Sequence, residues 1–339
     1  MSHADDAITA STDVLAVEVD RLSVGLNREG KTIIPVRDVT FTLARGETLC
    51  IIGESGCGKS VTLRALIGLL PANATIGGTV RMQGREVTHL PFEEMRGIRG
   101  ARVGMIFQEP ATALDPVYTI GQQIVETIMA HDDRALRAAR SRALELLELV
   151  SIPNAERRLD AYPHELSGGM RQRAMIAIAL ACGPDVLLAD EPTTALDVTV
   201  QMQVLFLLRG LQERLGMAMV FVTHDVSVAA EIADRIAVMY AGTIVEIGSA
   251  QQILVEPRHP YTLGLLASRA HRSNRGHHVP IIPGGPPDPA ELPTGCAFHP
   301  RCSAADSKCM TVAPDDRPVD NGRRIRCWHP NSEAIPEIR

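Results

Sequence analysis

The order of apolar and polar positions predicts strands and helices that alternate along most of the chain. Short continuous apolar runs, which are typical of strands buried on both faces, recur along it. The predicted strands are Glu47 to Ile52, Val103 to Phe107, Val186 to Asp190, Ala218 to Thr223, Arg235 to Tyr240 and Thr243 to Ile247. The predicted helices between them are Val61 to Leu70, Gly168 to Cys182, Val198 to Leu215 and Val226 to Ala233. This alternation favours an α/β fold with a mostly parallel sheet covered on both faces.

The first part of the chain shows a different pattern, in which apolar and polar residues alternate. Val14 to Val19 and Val39 to Leu43 have the period of half-buried strands. A loop containing Asn27, Gly30 and Pro35 is predicted between them. Ala74 to Met82 indicates a further strand region with a turn at Gly77-Gly78.

A block of helices is predicted to interrupt the β-rich part from about Glu93 to Leu166. Ile120 to Met129 and Arg134 to Val150 have helical periodicity. In the second of these, apolar residues recur at i, i+3, i+4 and i+7, starting at Ala143.

Composition and charge exclude several classes of protein. With 339 residues, of which 45% are hydrophobic, the chain can form one large domain and a smaller one. A net charge of −6 and the lack of a basic run argue against nucleic acid as a partner. Met1 to Asp13 lacks the features of a signal peptide, and no uninterrupted apolar run reaches the roughly 18 residues that span a bilayer. We therefore expect a soluble, cytosolic chain that meets a membrane only through partners.

Near Ala250 the composition changes, which predicts a small appended domain at 251–339 after a main domain at 1–250. Prolines become frequent, so we expect mostly loop. Four of the seven cysteines lie in this segment, namely Cys296, Cys302, Cys309 and Cys327. In a cytosolic chain such bunched cysteines are more often metal ligands than disulfides.

A phosphate-binding loop is predicted at Gly53-Glu54-Ser55-Gly56-Cys57-Gly58-Lys59-Ser60, between a strand and a helix. The glycines let backbone N–H groups point at phosphate oxygens, and the start of the helix adds its positive dipole. Lys59 would supply a positive charge, and Ser60 a hydroxyl group for Mg²⁺. A glycine-rich turn without a ligand is the alternative, which the tight G-x-x-x-x-G-K-S pattern and its flanks disfavour.

Two further motifs could complete a nucleotide site. Asp190-Glu191 ends a buried strand, where Asp190 could hold Mg²⁺ and Glu191 could polarise a water molecule. Taken alone, such an acidic pair is more often a solvated strand end. Leu166-Ser167-Gly168-Gly169-Met170-Arg171-Gln172-Arg173 predicts a helix start with Ser167 as N-cap and exposed backbone N–H groups, although an ordinary capped helix fits it equally well.

Taken together, these motifs resemble the nucleotide-binding subunit of ATP-binding cassette (ABC) transporters. That family has a phosphate loop, glutamine loop, signature, acidic strand, D-loop and switch histidine in this order. The corresponding residues are Gly53 to Ser60, Gln108, Leu166 to Gln172, Val186 to Glu191, Ala195-Leu196-Asp197, and His224. The resemblance covers roughly Val14 to Gly248. It implies a P-loop, RecA-like core, an antiparallel β subdomain and an inserted α-helical subdomain at about 91–168.

The resemblance also implies the roles of residues. The implied ATP-binding residues are Gly53, Glu54, Ser55, Gly56, Cys57, Gly58, Lys59, Ser60, Val61, Leu26, Asp190, Ser167, Gly168, Gly169 and Asp197. Ser60 and Gln108 are implied ligands of Mg²⁺, and Glu191, His224 and Gln108 are implied catalytic residues. Leu26 stands in the first loop, where the family usually stacks an aromatic residue on adenine, so adenine would meet a flat apolar contact instead.

The family resemblance further implies partners. Two such domains would sandwich two ATP molecules head to tail, each ATP touching one phosphate loop and Ser167 to Gly169 of the other subunit. The helical subdomain would dock on membrane subunits. We expect two transmembrane permease subunits, a second and different ABC ATPase, and an extracytoplasmic binding protein, with the chain at the cytoplasmic face of the membrane.

The C-terminal segment resembles the oligopeptide, dipeptide and nickel branch of importer ATPases. The residues that carry this resemblance are His259-Pro260-Tyr261-Thr262, Ile282-Pro283-Gly284 and Gly295 to Cys302. The cysteine spacing C-x5-C-x6-C-x17-C suits an iron–sulfur cluster or tetrahedral zinc, with His299 and His329 as spare ligands. The resemblance favours [4Fe–4S]. Import of peptides is the expected function; nickel or other small-solute import, export, and a soluble ABC ATPase acting on ribosomes or DNA are the alternatives.

Overall fold

The computed structural model describes residues 15–28, 31–194, 196–270 and 282–331. Residues 1–14, 29–30, 195, 271–281 and 332–339 lie outside these ranges, and with them Val14 of the first predicted strand and Ala195 of the predicted D-loop. The strands are β1 Val17–Arg28, β2 Lys31–Leu43, β3 Thr48–Ile52, β4 Ala74–Met82, β5 Arg85–Glu86, β6 Val103–Ile106, β7 Val186–Asp190, β8 Ala218–Thr223, β9 Arg235–Tyr240, β10 Thr243–Ser249, β11 Arg317–Pro318 and β12 Arg324–Ile325.

The helices lie between and after these strands. They are α1 Lys59–Leu66, α2 Phe92–Ile98, α3 Pro110–Ala113, α4 Ile120–Met129, α5 Leu136–Leu149, α6 Ala155–Leu159, α7 Gly168–Ala179, α8 Val198–Leu215, α9 Val226–Ile232, α10 Ala250–Val255, α11 Pro260–Ala270 and α12 Ser307–Thr311. Short 3₁₀ helices occupy Pro163–Glu165 and His299–Arg301. No helix among the described residues has the length and apolar character that crossing a bilayer requires.

The larger sheet confirms the predicted mostly parallel core. Its eight strands follow the order β11-β12-β10-β9-β3-β8-β7-β6. The five strands from β9 to β6 are parallel, whereas β10, β12 and β11 form an antiparallel edge. Because the carboxyl ends of β3, β7 and β8 meet at one edge, the loops that follow them lie close together.

Both faces of this sheet are covered, as the apolar runs predicted. Cys50 and Ile52 of β3 pack into a core shared with the helices α4 to α9, whereas Leu49 and Ile51 point into a core shared with α1 and the smaller sheet. Successive side chains of a strand point to opposite faces, so a continuous apolar run serves both cores.

The smaller sheet is antiparallel, in the order β2-β1-β4-β5, and its strands are longer than predicted. The segment predicted as a loop is mostly paired, since Asn27 faces Thr32 and Val24 faces Val36. Gly77-Gly78 lies inside β4 and does not form a turn. A Cβ on Gly78, whose φ is +82°, would lie 2.3 Å from the Arg21 carbonyl oxygen, so glycine here permits close approach at an irregularity of the β1–β4 pairing.

The helical region contains α4 with the predicted bounds, and α5 begins two residues later than predicted. Thr119 caps α4 through a capping box with Gln122. The range 91–168 also supplies β6, which pairs in parallel with β7, so this range contributes one strand to the larger sheet.

The segment after Ala250 is more ordered than the predicted loop. It contains helices α10, α11 and α12, and β12 pairs with β10 through Glu246 and Ile247. Its described part therefore continues the larger sheet and does not stand apart from it.

Candidate functional site

The loop between β3 and α1 has the backbone conformation that its glycines predicted. Gly58 lies just before α1 with φ +107°, and a Cβ there would lie 2.3 Å from the Pro35 carbonyl oxygen. A Cβ on Gly53 would lie 2.2 Å from the Met239 carbonyl oxygen. Since neither neighbour is a flexible side chain, only glycine fits at either position, and the loop can wrap closely around a ligand.

Lys59 places a buried ammonium group at the centre of this loop. Its Nζ donates to the carbonyl oxygens of Gly53 at 2.8 Å and Glu54 at 3.0 Å, and the residue is 5% exposed. The same Nζ lies 4.0 Å from a carboxylate oxygen of Glu191. A positive charge held in this way by carbonyl groups can bind the outer phosphates of a nucleotide.

Ser60 and Asp190 form a site with the ligands that Mg²⁺ prefers. The Ser60 hydroxyl donates to Oδ1 of Asp190 at 2.7 Å. The other carboxylate oxygen of Asp190 is buried and has no hydrogen-bond partner within the described residues. Burial raises the pKa of Asp190, while the Ser60 hydrogen bond opposes that rise. An unpartnered carboxylate oxygen next to a hydroxyl group fits a bound divalent cation, which would favour the charged form of the carboxylate.

The three predicted catalytic residues meet at one carboxylate. Glu191 follows β7 with φ +46°, and its Oε2 lies 3.0 Å from Nδ1 of His224 and 3.4 Å from Nε2 of Gln108. The Thr194 hydroxyl donates to the same oxygen at 2.9 Å. Gln108 thus contacts Glu191 here and donates no hydrogen bond to Ser60 or Asp190. This arrangement places the Glu191 carboxylate beside the Lys59 ammonium group, where the carboxylate can receive a proton from an attacking water molecule.

Thr194 is a residue that the sequence reasoning missed. It stands three residues after Glu191, within Glu191-Pro192-Thr193-Thr194. A hydroxyl residue that closely follows a catalytic acid, in a short turn, is the signal that could have identified it.

The predicted signature and D-loop lie beside each other but apart from the phosphate loop. Ser167 caps α7 by accepting from the Met170 N–H, and Asp197 caps α8 by accepting from the Val200 N–H. A Cβ on Gly169 would lie 2.8 Å from a methyl carbon of Val200. Within the described residues, no hydrogen bond joins Ser167 or Gly169 to the phosphate loop. Ser167 and Gly168 are exposed to solvent.

Leu26 lies in β1, paired with Ile33 and Ala74, and packs half-buried on the apolar core between the sheets. The neighbouring strand β2 reaches the phosphate loop through Pro35, whose carbonyl oxygen faces Gly58 and Gly242. Leu26 thus stands on the sheet that adjoins the loop.

The four C-terminal cysteines converge. Cys296, Cys302, Cys309 and Cys327 line one small cavity together with His259, His299 and His329. Cys309 and Cys327 are buried, and the other two are half-buried. Burial raises the pKa of all four thiols, that of Cys327 to about 11.

The sulfur atoms are not packed as tightly as the ligands of a single metal ion. Among the described residues, the group of three His, Cys, Asp or Glu side chains whose ligand atoms lie within 4.8 Å of one another is Asp306, Cys309 and His329. Four sulfur ligands of one zinc ion, each at about 2.3 Å, would lie about 3.8 Å apart.

The C-terminal segment also touches the phosphate loop, which no sequence motif predicted. Arg301 forms an ion pair with Glu54, and Tyr261 accepts a hydrogen bond from the Glu54 N–H. Residues 247 positions apart are therefore in direct contact at the nucleotide site.

Comparison with known proteins finds matches along most of the chain. Residues 36–194 match a family model described as "ABC transporter", and residues 245–309 match one described as "Oligopeptide/dipeptide transporter, C-terminal region". The chain is 44% identical over 320 residues to the dipeptide transport ATP-binding protein DppD of Bacillus subtilis, covering 94% of this chain and 96% of that protein. It is also 44% identical over 319 residues to the oligopeptide transport ATP-binding protein OppD of Salmonella typhimurium, covering 94% and 95%.

Among solved structures, the chain resembles a dimeric ATP-binding cassette, MJ0796, in a post-hydrolysis state bound to ADP and Pi. The TM-score is 0.63 at 30% identity, over 69% of this chain and 98% of that one. The match confirms the α/β cassette fold.

Proposed function

This chain belongs to the ABC transporter family, as an ATPase of the oligopeptide and dipeptide importer type, and from that premise we propose that it powers the import of peptides. The observation that carries the proposal is the carboxylate of Glu191 held beside Lys59, His224 and the Ser60–Asp190 pair. Relatives named as dipeptide and oligopeptide transport proteins supply the substrate class.

The geometry supports hydrolysis by in-line attack of water. Lys59 would bind the outer phosphates, and Ser60 and Asp190 would hold Mg²⁺, which neutralises charge on the phosphate oxygens. Glu191 would take a proton from the water molecule as its oxygen attacks the γ-phosphorus. The bond from that phosphorus to the bridging oxygen breaks, which yields ADP and phosphate. His224, whose ring nitrogen lies 3.0 Å from Glu191, would orient that carboxylate and contact the γ-phosphate.

We also propose that the chain works as one of a pair of cassettes. The exposed helix start at Ser167 to Gly169 would contact ATP bound to the phosphate loop of the second cassette. The dimeric cassette that this chain resembles supports the arrangement. A different ABC ATPase is the proposed second subunit, and ATP binding would close the pair while hydrolysis reopens it.

The proposed partners are two permease subunits and an extracytoplasmic peptide-binding protein, with this chain at the cytoplasmic face of the membrane. A tagged chain purified from membranes in mild detergent tests this. Recovery with two permeases, a second ATPase and a binding protein, and ATP-dependent uptake of labelled peptide by the reconstituted complex, would support the proposal. Recovery only with ribosomes or DNA-repair proteins would contradict it.

For the four thiols we propose a [4Fe–4S] cluster in preference to zinc. Their convergence on one cavity fits a common metal group, and no three of the four sulfur atoms all lie within 4.8 Å of one another, as the ligands of one tetrahedral zinc ion would. When bound, the cluster would supply a covalent link between separate turns of a segment with little regular structure. Because the four thiols must lose protons to bind metal and their pKa values are raised, metal affinity should fall as the pH falls.

Metal analysis of the full chain, purified without oxygen, tests the cluster. We expect about four iron and four sulfide ions per chain, lost in Cys309→Ser and retained in the control Cys182→Ser, whose thiol lies elsewhere. One zinc ion per chain without sulfide would favour the zinc alternative, and unchanged iron in Cys309→Ser would exclude this cysteine as a ligand.

A further inference from the structure

The ion pair between Arg301 and Glu54 engages both oxygens of the carboxylate. The guanidinium group of Arg301 donates through Nη1 to one carboxylate oxygen of Glu54 at 2.7 Å and through Nη2 to the other at 2.9 Å. The Arg301 side chain is 6% exposed, and that of Glu54 27%. Such a two-pronged contact fixes both distance and orientation, which a single hydrogen bond does not.

The remaining donors of Arg301 are also satisfied. Nε donates to the Pro283 carbonyl oxygen at 2.9 Å, and the free hydrogens of Nη1 and Nη2 reach the Tyr240 hydroxyl and the Gly284 carbonyl oxygen at 3.4 Å. All five N–H groups of the guanidinium therefore have acceptors. Because every donor is engaged, this side chain has little freedom to move away from Glu54.

Glu54 is held from three directions. Its carboxylate meets Arg301, its backbone N–H donates to the Tyr261 hydroxyl at 3.0 Å, and its carbonyl oxygen accepts from Nζ of Lys59 at 3.0 Å. Tyr261 packs against Tyr240 and Phe298, with ring centroids 4.6 and 5.4 Å away. The rigid aromatic group and Arg301 thus fix the residue whose carbonyl group positions the ammonium of Lys59.

The charge of Glu54 makes this contact matter for the nucleotide. An unpaired carboxylate on a loop that receives the phosphates would repel them. Partial burial lowers the local dielectric constant and so strengthens this repulsion. The Arg301 guanidinium cancels this charge where it arises. A residue that only held the loop in place would not need a positive charge.

We propose that Arg301 is a positioning residue of the nucleotide site, which acts through Glu54 to neutralise the phosphate loop and to hold Lys59 in place. ATP affinity then depends on the folded C-terminal segment. Arg301 directly precedes Cys302 on the 3₁₀ helix His299–Arg301, so the thiol cavity and the phosphate loop are joined by one short element. This inference rests on the proposed ATP-binding function.

The test is the affinity of the full chain for AMP-PNP, an ATP analogue that resists hydrolysis, measured by titration calorimetry. Arg301→Gln should weaken binding about tenfold or more, since the Glu54 carboxylate is then uncompensated. Glu54→Gln/Arg301→Gln removes both charges and should recover most of the lost affinity. Arg301→Lys keeps the charge without the two-pronged geometry and should fall between wild type and Arg301→Gln.

Arg326→Gln is the matched control. Arg326 also joins the C-terminal segment to the rest of the chain, through Asp38 at 2.6 Å, but does so away from the phosphate loop. Its affinity for AMP-PNP should stay within about twofold of wild type. An equal loss in Arg326→Gln would show that the segment acts only through overall stability, and this would overturn the proposal.

Other outcomes separate the possible failures. If the double variant binds as weakly as Arg301→Gln, the route through Glu54 is wrong. If wild type binds AMP-PNP and Arg301→Gln binds equally well, the inference fails while the proposed function stands. If wild type does not bind AMP-PNP at all, the proposed function itself fails. Should Arg301→Gln not fold, Arg301→Lys still tests the coupling, because it keeps a positive charge opposite Glu54 while it removes the two-pronged contact. Equal affinity of wild type and Arg301→Lys for AMP-PNP would then contradict the positioning role.

Discussion

The cassette, which is the part of the chain up to Ala250, and the C-terminal segment differ in the balance of forces that stabilises them. In the cassette, five parallel strands are buried on both faces between two apolar cores. The segment after Ala250 buries Ile253, Tyr261, Leu266 and Phe298 in one of those cores, but its strands β11 and β12 have only two residues each. Three ion pairs also attach it to the cassette, namely Arg301–Glu54, Arg323–Glu246 and Arg326–Asp38.

This difference shows how an addition can be joined to a fold that is already complete. Hydrophobic burial is non-directional and holds a sheet together wherever apolar area is lost. A buried ion pair is directional and stabilises one position, although its net free energy is small after desolvation. The cassette therefore depends on burial throughout, whereas in the segment directional ion pairs add to burial and fix its position.

The largest expected effect concerns the chemistry of the cassette. Glu191→Gln should lower the rate of ATP hydrolysis by about 10² to 10⁴ because it removes the proposed general base. Binding of AMP-PNP should change little. The control Glu213→Gln alters an exposed acid on α8 and should leave the rate unchanged, and normal hydrolysis by Glu191→Gln would refute the assignment.

Removal of the phosphate-loop ammonium group should have the next largest effect. Lys59→Ala should weaken AMP-PNP binding about 100-fold, or about 3 kcal/mol, since a charged hydrogen-bond donor to the phosphates is lost. Titration calorimetry measures the change. Arg137→Ala, which removes an exposed positive charge on α5, serves as the control, and equal binding by Lys59→Ala would contradict the phosphate-loop assignment.

The attachment of the segment can be weakened without touching the nucleotide site. Arg323 and Glu246 are buried together, with side chains 1% and 0% exposed. Arg323→Met should lower the free energy of unfolding by about 3 kcal/mol, because it leaves the buried carboxylate without its cation. Thermal unfolding measures this, and a second transition would indicate that the segment unfolds before the cassette. Arg209→Met breaks an exposed ion pair and should have little effect.

The smallest effect is expected at the adenine contact. Leu26→Tyr should tighten AMP-PNP binding a few-fold, by about 1 kcal/mol, if an aromatic ring at this position stacks on the base. Leu26→Phe should behave similarly, whereas Leu22→Phe, within the buried core, should not improve binding. If neither Leu26→Tyr nor Leu26→Phe raises the affinity for AMP-PNP, adenine does not bind at this position.

The cassette could be predicted from sequence to within a few residues because its signals are local. The bounds of Val186–Asp190, Val198–Leu215 and Ala218–Thr223 follow directly from the apolar runs and their caps. The phosphate loop, acidic strand and switch histidine also appeared as short motifs. Their meeting at Glu191 follows from the carboxyl ends of neighbouring parallel strands.

Elsewhere the signals were not local, and prediction failed or was silent. The paired segment around Asn27 and Thr32 is polar because it is partly exposed, so its pattern resembled a loop. Gly77-Gly78 looked like a turn, although its role is set by the backbone of another strand. The Arg301–Glu54 contact joins positions far apart in the chain, and only the tertiary structure brings them together.

The short strand β12 has a consequence for how this protein can be handled. It pairs with β10, the strand that would otherwise be the open border of the larger sheet. A chain cut after Ser249 would expose the unpaired backbone of β10, and such borders recruit strands from other molecules. Cassettes prepared in that shortened form would tend to associate with one another. Their measured oligomeric state would then result from the truncation and not from the natural assembly.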